Sequence, residues 1–166
     1  MNKDIKINLM MKQLLDISDN TIKFTFKEQN LNKLFSPRFV INYDCIIIAD
    51  DNKDLLPKHE FLKNVEEMYT DKTGYEASIT DTLINYYIEE EDVKLQDILP
   101  VAFTVIDVWS SQLKMIDSLS KFCFIVTCES DYNHVTIRFH KLRDNEPMWI
   151  DSNLEQYEEP VGYVII

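Results

Sequence analysis

The chain has 166 residues, 45% of them hydrophobic and 28% charged, which is typical of a globular domain rather than a disordered chain. Its 29 acidic and 17 basic side chains give a formal net charge of −12, which argues against binding to nucleic acid or to an anionic membrane surface. The same charge is compatible with a basic protein partner. Two glycines are too few to build a glycine-rich phosphate loop, which argues against nucleotide-binding enzymes of that kind.

The predicted elements of the first half follow the spacing of apolar side chains. Residues 3–17 carry them at helical spacing, and a short strand at 5–9 is the alternative. Ile22, Phe24 and Phe26 alternate with polar residues, which predicts a strand. The other predictions for this half are strands over 21–27 and 38–48, a helical turn or loop over 30–35, and an exposed loop over 50–54.

Two helices are predicted before residue 90. Pro57 can occupy the first position of one helix, and Thr73-Gly74 is a typical signal for its end. The pattern Ser78-x-x-Asp81 predicts the cap of the next helix. The two helices are predicted over 57–70 and 78–89, and the acidic run that follows, 89–92, should form a solvated surface.

The clearest helical periodicity lies between Val101 and Lys121. Polar residues recur there in steps of three and one, which puts them on one face, with Ser110 among them. The apolar residues, with Ile116 among them, lie largely opposite, and we expect that face to pack on a sheet. The predicted helix covers 101–120 and starts beside Pro100.

The C-terminal third predicts an antiparallel hairpin and a final strand. Residues 122–128 are apolar on both alternating faces, which is typical of a central strand that is buried on both sides. Residues 135–141 alternate, which predicts a half-buried strand, and a last strand is predicted over 161–166. Helices grouped between strands indicate one α+β domain over 1–166, with helices packed on a mixed or antiparallel sheet.

The cysteines and the apolar runs indicate a cytoplasmic protein. Cys45, Cys123 and Cys128 have apolar surroundings, which predicts reduced and buried thiols. Cys123 and Cys128 are five residues apart on one predicted strand, so they should face opposite sides of the sheet. We find no signal-peptide pattern and no run of about 20 apolar residues, so we expect neither secretion nor a membrane span. The residue usage is typical of an AT-rich bacterial coding sequence.

No constellation of residues predicts catalysis. His134 and His140 should be about 20 Å apart along one strand, too far to share a metal ion, and we expect both at the surface. His59-Glu60 lacks the second histidine of the zinc-protease pattern. The alternative is a small enzyme in which Cys128 is the nucleophile and His134 its base, since both flank one turn. We therefore predict a protein that is not an enzyme and that has no metal ion and no cofactor.

The segment Arg143–Glu159 predicts a surface that binds a basic protein. It has acidic side chains around aromatic ones and no basic residue after Arg143. Aromatic anchors within an acidic rim are typical of a binding site for a basic partner. The alternative is that Trp149, Leu154 and Tyr157 are core residues and the carboxylates only solvate the outside. The predicted partner-binding residues are Asp144, Glu146, Trp149, Asp151, Glu155, Tyr157, Glu158 and Glu159.

This part of the chain resembles the C-terminal part of small bacterial immunity proteins, which accompany polymorphic toxins such as those of contact-dependent growth inhibition. The resemblance implies a single-domain cytoplasmic protein that binds and neutralises one cognate toxin domain, often a nuclease. A structural adaptor subunit is the remaining alternative, and no oligomeric state is predicted. The resemblance covers about the last quarter of the chain and rests on Phe139-His140-Lys141-x-Arg143-x-x-Glu146-x-x-Trp149-Ile150 and Leu154-Glu155-x-Tyr157-x-Glu159-Pro160-Val161.

Overall fold

A computed structural model describes residues 4–19, 21–49 and 55–166, and places seven β-strands and five α-helices in them. The strands are β1 (Ile5–Ile7), β2 (Phe39–Asn42), β3 (Cys45–Ile48), β4 (Thr82–Leu83), β5 (Phe122–Glu129), β6 (His134–Lys141) and β7 (Val161–Ile165). The helices are α1 (Leu9–Ile17), α2 (Glu28–Phe35), α3 (Lys58–Asn64), α4 (Lys72–Ile79) and α5 (Leu95–Ile116). The predicted α+β class is confirmed, and the predicted loop at 50–54 lies outside the described residues.

Five antiparallel strands form the main sheet in the order β1-β7-β5-β6-β4. The central strand β5 pairs with both β6 and β7, and its apolar run is buried as predicted. The strands β2 and β3 form a separate hairpin, so the single strand predicted over 38–48 is wrong. Tyr43 and Asp44 connect them with φ of 48° and 74°, and positive φ at both central residues is what a type I′ turn requires.

Helix α5 covers one face of the main sheet. Trp109 lies fully buried on this face, and its ring packs edge-on against Phe139 of β6 with 6.2 Å between ring centroids. The indole Nε1 donates to the carbonyl oxygen of Leu34 at 2.7 Å, which satisfies the buried polar group and ties α2 to α5. The helix begins six residues before its predicted start, and Pro100 lies inside it.

The predicted faces of α5 are wrong at two positions. Ser110 was expected to be exposed but is buried, and its hydroxyl donates to the carbonyl oxygen of Asp107 at 2.9 Å. Ile116 was expected in the core but is 39% exposed. Ile116 is exposed because the helix ends there rather than at residue 120, and Leu113 is the last residue of the helix in the core.

The C-terminal segment, residues 142–160, covers the opposite face of the sheet. Cys123 and Ile125 of β5 pack there against Ile150 and Leu154. The strand β6 is therefore buried on both faces, and the prediction that it is half-buried is wrong. Cys123 belongs to this second cluster and Cys128 to the cluster around α5, which confirms that the two thiols face opposite sides.

Two predicted elements near the edges of the fold are absent from the described residues. The strand predicted over 21–27 is reduced to one isolated bridge between Phe26 and Ile88. The helix predicted over 78–89 is replaced by the end of α4, the short strand β4 and a 3₁₀ turn. Asn85 explains the second difference, because its side-chain oxygen accepts from the backbone N–H of Val135 at 2.9 Å in the sheet.

The N-terminal region contains both a strand and a helix, the two alternatives considered for it. A strand over Ile5–Ile7 pairs with β7, and helix α1 follows it. Asn8 separates the two elements, because its side-chain oxygen accepts from the N–H of Met11 at 2.9 Å and caps the helix. Residues 30–35, predicted as a helical turn or loop, belong to helix α2.

Candidate partner-binding cleft

A cleft of about 380 Å³ lies where the connection between α3 and α4 meets the C-terminal segment; we call it the Trp149 cleft. Trp149, a predicted partner-binding residue, is 41% exposed in it. The lining includes one carboxylate, that of Asp71, and no lysine or arginine. The lining residues are Met68, Tyr69, Thr70, Asp71, Thr73, Gly74, Ser78, Pro147, Met148 and Trp149.

One wall of the cleft has a strained backbone. A π-helix, Val65–Tyr69, continues α3 and leads to Thr70, which has φ 70° and ψ −45°. The N–H of Asp71 donates to the carbonyl oxygen of Tyr69 at 2.8 Å, which closes a three-residue γ-turn of the rare form with positive φ. Positive φ at a β-branched residue is an outlier that costs about 1–3 kcal/mol, and such strain is found most often at binding and catalytic sites.

The first turn of α4 packs tightly against this γ-turn. A Cβ on Gly74 would lie 2.4 Å from the carbonyl oxygen of Tyr69, so only glycine fits. Thr73-Gly74 was predicted to end a helix, whereas both residues lie in the first turn of α4. That is why the prediction missed this wall of the cleft; the sequence signal that could have found it is Asp71, an N-cap residue directly before the helix.

Two carboxylates occupy the N-terminus of α4. Asp71 Oδ1 accepts from the N–H of Gly74 at 2.7 Å, and Glu146 Oε2 accepts from the N–H and the hydroxyl of Thr73 at 2.9 and 2.8 Å. The helix end therefore already has its anionic partners, and an additional anion would meet two negative charges. Glu146, predicted to bind a partner, is instead held against α4 and lies 3.7 Å from Arg143 Nη1.

Trp149 rests on side chains of β6. The guanidinium carbon of Arg138 lies 4.4 Å from the centroid of the indole ring, and Arg138 Nη2 is 2.7 Å from Asp81 Oδ1. The backbone N–H of Trp149 donates to His140 Nε2 at 3.4 Å. The contact with Arg138 holds the indole ring, and the hydrogen bond to His140 holds the backbone of Trp149. The part of the ring that Arg138 does not cover faces the cleft.

His140 is a buried residue and not the surface residue that was predicted. It is fully buried because the C-terminal segment covers this face of β6. Its Nδ1 is 3.1 Å from the carbonyl oxygen of Lys141, so the proton resides there while Nε2 accepts from Trp149. Burial, reinforced by the charge of Arg143, lowers the pKa of His140 and favours the neutral imidazole.

A buried ion pair links α4 to the C-terminal segment. Arg143 Nη1 donates to Glu76 Oε2 at 2.8 Å, and Glu76 is fully buried. Glu76 also accepts from the backbone N–H groups of Ile46 and Lys141 at 2.7 and 2.8 Å, while Arg143 Nη2 donates to the carbonyl oxygen of Asp44 at 2.9 Å. Burial raises the pKa of Glu76, and the contacts with Arg143 oppose that shift. The network joins α4, β3 and the end of β6.

The structure separates the other predicted binding residues. Glu155 Oε1 accepts from the N–H of Leu9 at 3.0 Å beside strand β1, at the sheet edge away from Glu146. Glu159 accepts from the N–H and hydroxyl of Ser130. The Tyr157 hydroxyl accepts from the N–H of Asp151 at 3.1 Å. The exposed carboxylates of Asp144 and Glu158 make no hydrogen bond or ion pair with a described residue.

The nucleophile and base considered for an enzyme do not meet. Cys128 pairs with Val135 across the sheet and His134 pairs with Glu129, so thiol and imidazole face opposite sides. Burial raises the pKa of the Cys128 thiol to about 12. Within the described ranges no three His, Cys, Asp or Glu side chains are grouped as metal ligands, and no helix is long and apolar enough to cross a membrane.

These features define an α+β protein with an antiparallel sheet that is covered on both faces. The chain belongs to the family described as the Uncharacterized protein PM0498 family, which matches residues 2–166. No curated protein and no solved structure matches the chain significantly.

Proposed function

We propose that the protein is an immunity protein that binds and neutralises a basic cognate toxin domain at the Trp149 cleft. The observation that carries the proposal is the exposed indole of Trp149 in a cleft whose lining has one carboxylate and no basic side chain. An aromatic anchor in a concave, acidic setting suits the few central side chains that dominate a protein interface. The resemblance of the C-terminal segment to immunity proteins supports the same function.

Exposed carboxylates that neighbour the lining residues in sequence support a basic partner. The exposed carboxylates of Glu66 and Glu67 precede Met68, and those of Asp144 and Asp151 flank Trp149 in sequence. With a net charge of −12, the protein attracts a basic domain over distances comparable to the Debye length, about 8–10 Å at physiological salt. Charge speeds the encounter, whereas the buried anchor slows dissociation.

The test uses the toxin domain encoded next to this protein's gene. The purified domain should form a complex with the protein, and co-expression of the protein should restore the growth of cells that produce the toxin. Trp149→Ala should raise the dissociation rate and weaken protection, because it removes the anchor. Tyr132→Ala is the matched control, since Tyr132 is also an exposed aromatic residue but lies in the turn between β5 and β6.

Two results would contradict the proposal. The proposal is wrong if the neighbouring domain forms no complex and co-expression gives no protection. It is also wrong about the surface if Tyr132→Ala weakens the complex and Trp149→Ala, with an unchanged melting temperature, does not.

A further inference from the structure

We infer that the Trp149 cleft takes an arginine side chain of the partner, with its guanidinium stacked on the indole and facing Asp71. The inference rests on the proposed function and names the chemical group that the cleft recognises.

The indole of Trp149 is suited to a second guanidinium. Arg138 already stacks on the ring, at 4.4 Å from its centroid. Trp149 as a whole residue is 41% exposed, and because Arg138 covers one face of the ring, the part of the ring that is open to solvent lies on the other face and the edges. Planar guanidinium groups stack on aromatic faces more readily than the compact ammonium of lysine. The exposed part of this ring therefore offers a stacking surface for an incoming arginine.

Asp71 supplies the matching charge at a fixed position. Its Oδ1 is held by the N–H of Gly74, and Oδ2 accepts no hydrogen bond from a described residue. Asp71 also belongs to the strained γ-turn around Thr70, so little freedom is lost when it binds a cation. No basic side chain lines the cleft to compete for this carboxylate. A guanidinium can thus stack on Trp149 and pair with Asp71 in the same cleft.

The remaining walls suit the aliphatic part of an arginine side chain. Met68 is 68% exposed at the cleft, and Pro147 and Met148 line it as well. Methionine adapts its shape to a bound chain, and the stem of arginine packs along apolar surface while its charged end stays polar. An anionic ligand does not fit, because Asp71 and Glu146 already occupy the N–H groups at the start of α4.

The experiment follows the two indole N–H signals of the folded protein in ¹H–¹⁵N NMR spectra. The signal of Trp149 is assigned from its loss in Trp149→Phe, and the buried Trp109 is the internal control. The probe is a short peptide with both ends blocked, in which one arginine is the only charged group, compared with the same peptide carrying citrulline, its uncharged analogue. The arginine peptide should move the Trp149 signal saturably without moving that of Trp109, and the citrulline peptide should not.

Asp71→Asn tests the charge while keeping the helix cap, because asparagine caps as well as aspartate. It should weaken binding of the arginine peptide about two- to fivefold, the range of an exposed cation–π or ion-pair contact. Glu91→Gln, which removes an exposed charge elsewhere, should leave binding unchanged.

The inference is overturned if both peptides shift Trp149 equally, if neither does, or if Asp71→Asn has no effect. These outcomes are separate from failure of the proposed function. A toxin complex that forms although the arginine peptide does not bind removes only the inference. Binding of the arginine peptide without any toxin complex removes only the immunity function.

Discussion

Glu76 and Arg143 form the most deeply buried ion pair in the described part of the chain, and its loss should be costly. Glu76→Gln keeps the shape of the side chain but removes the nearest charged partner of Arg143, whose other carboxylate neighbours, Asp44 and Glu146, lie 3.6 and 3.7 Å away. Removing one member of a buried pair costs about 3–5 kcal/mol, and we expect a loss of that size in the free energy of unfolding measured with urea.

The control for this change is Glu67→Gln. Glu67 pairs with Lys63 at 3.9 Å across an exposed surface, so its loss should cost less than about 1 kcal/mol. Equal effects of the two changes would show that Arg143 finds another partner when Glu76 is neutral.

His140 should make stability depend on pH. Its pKa in the folded protein lies below the ordinary value of 6.5, so the unfolded chain binds more protons. This contribution to stability is complete above about pH 6.5 and is lost as the pH falls toward the pKa of the folded state. Arg143 favours the neutral imidazole, whereas the nearby carboxylates of Asp71 and Glu146 oppose it.

The measurement is the melting temperature between pH 7 and pH 5, compared with that of His140→Gln. The wild-type protein should lose more stability over this interval than the variant does, because glutamine has no proton to gain. His134→Gln, at a partly exposed position on the same strand, is the matched histidine control. Parallel curves for wild type and His140→Gln would show that another group controls the acid response.

At the scale of elements, the γ-turn between the π-helix and α4 stores strain that a single substitution can release. Thr70→Gly should raise the free energy of unfolding by about 1 kcal/mol, because relief of the positive φ exceeds the entropic cost of glycine. The same change should weaken binding of the proposed toxin domain, since the wall of the Trp149 cleft becomes mobile. Chemical unfolding and binding measurements on one preparation test both effects.

Thr21→Gly is the matched control, because Thr21 lies in an exposed loop without positive φ. It should lower stability slightly and leave binding unchanged. If Thr70→Gly is no more stable than Thr21→Gly, the positive φ of Thr70 does not destabilise the fold.

Sequence patterns predicted the elements whose own side chains must be buried in the core. The apolar run of β5 and the long periodicity of α5 were found because burial on a sheet requires them. The strand predicted over 21–27 is wrong because its backbone pairs at one bridge only. The helix predicted to start beside Pro100 begins earlier and passes through this proline. The sequence alone does not predict these features, because they depend on contacts with residues that are distant in the chain.

The same limit applies to the candidate site. Trp149 was predicted because aromatic residues among carboxylates are visible in a sequence. The opposite wall of the cleft comes from residues about 80 positions earlier, and its γ-turn has no sequence signal of its own. His140 was misplaced because nothing in its strand shows that an irregular segment covers the second face of the sheet.

At the scale of the whole molecule, charge should control how fast a partner associates. Reversing Asp144 and Glu158 to lysine adds four charges and changes the formal net charge from −12 to −8. Both side chains are exposed and make no bond with described residues, so the melting temperature should not change. Association with the proposed toxin domain should slow about tenfold at low salt and less at high salt.

The control is the pair Asp16→Lys and Glu91→Lys, which changes the net charge equally at exposed positions on other elements. If both double variants slow association to the same extent, overall charge steers the encounter and the C-terminal segment does not. Glu155→Lys is unsuitable for this purpose, because Glu155 accepts from the N–H of Leu9 at the start of α1.

The pairing of β1 with β7 also affects how the chain folds during its synthesis. Ile5 lies opposite Val164 in the sheet, so β1 cannot pair until the residues of β7 have been synthesised. Closing so long a loop is entropically costly, and folds rich in such contacts fold slowly. A nascent chain on the ribosome has β5 and β6 before β7 exists, with Cys123 and Ile125 still uncovered. We expect chaperones to bind this hairpin until Val161–Ile165 emerges and completes the sheet.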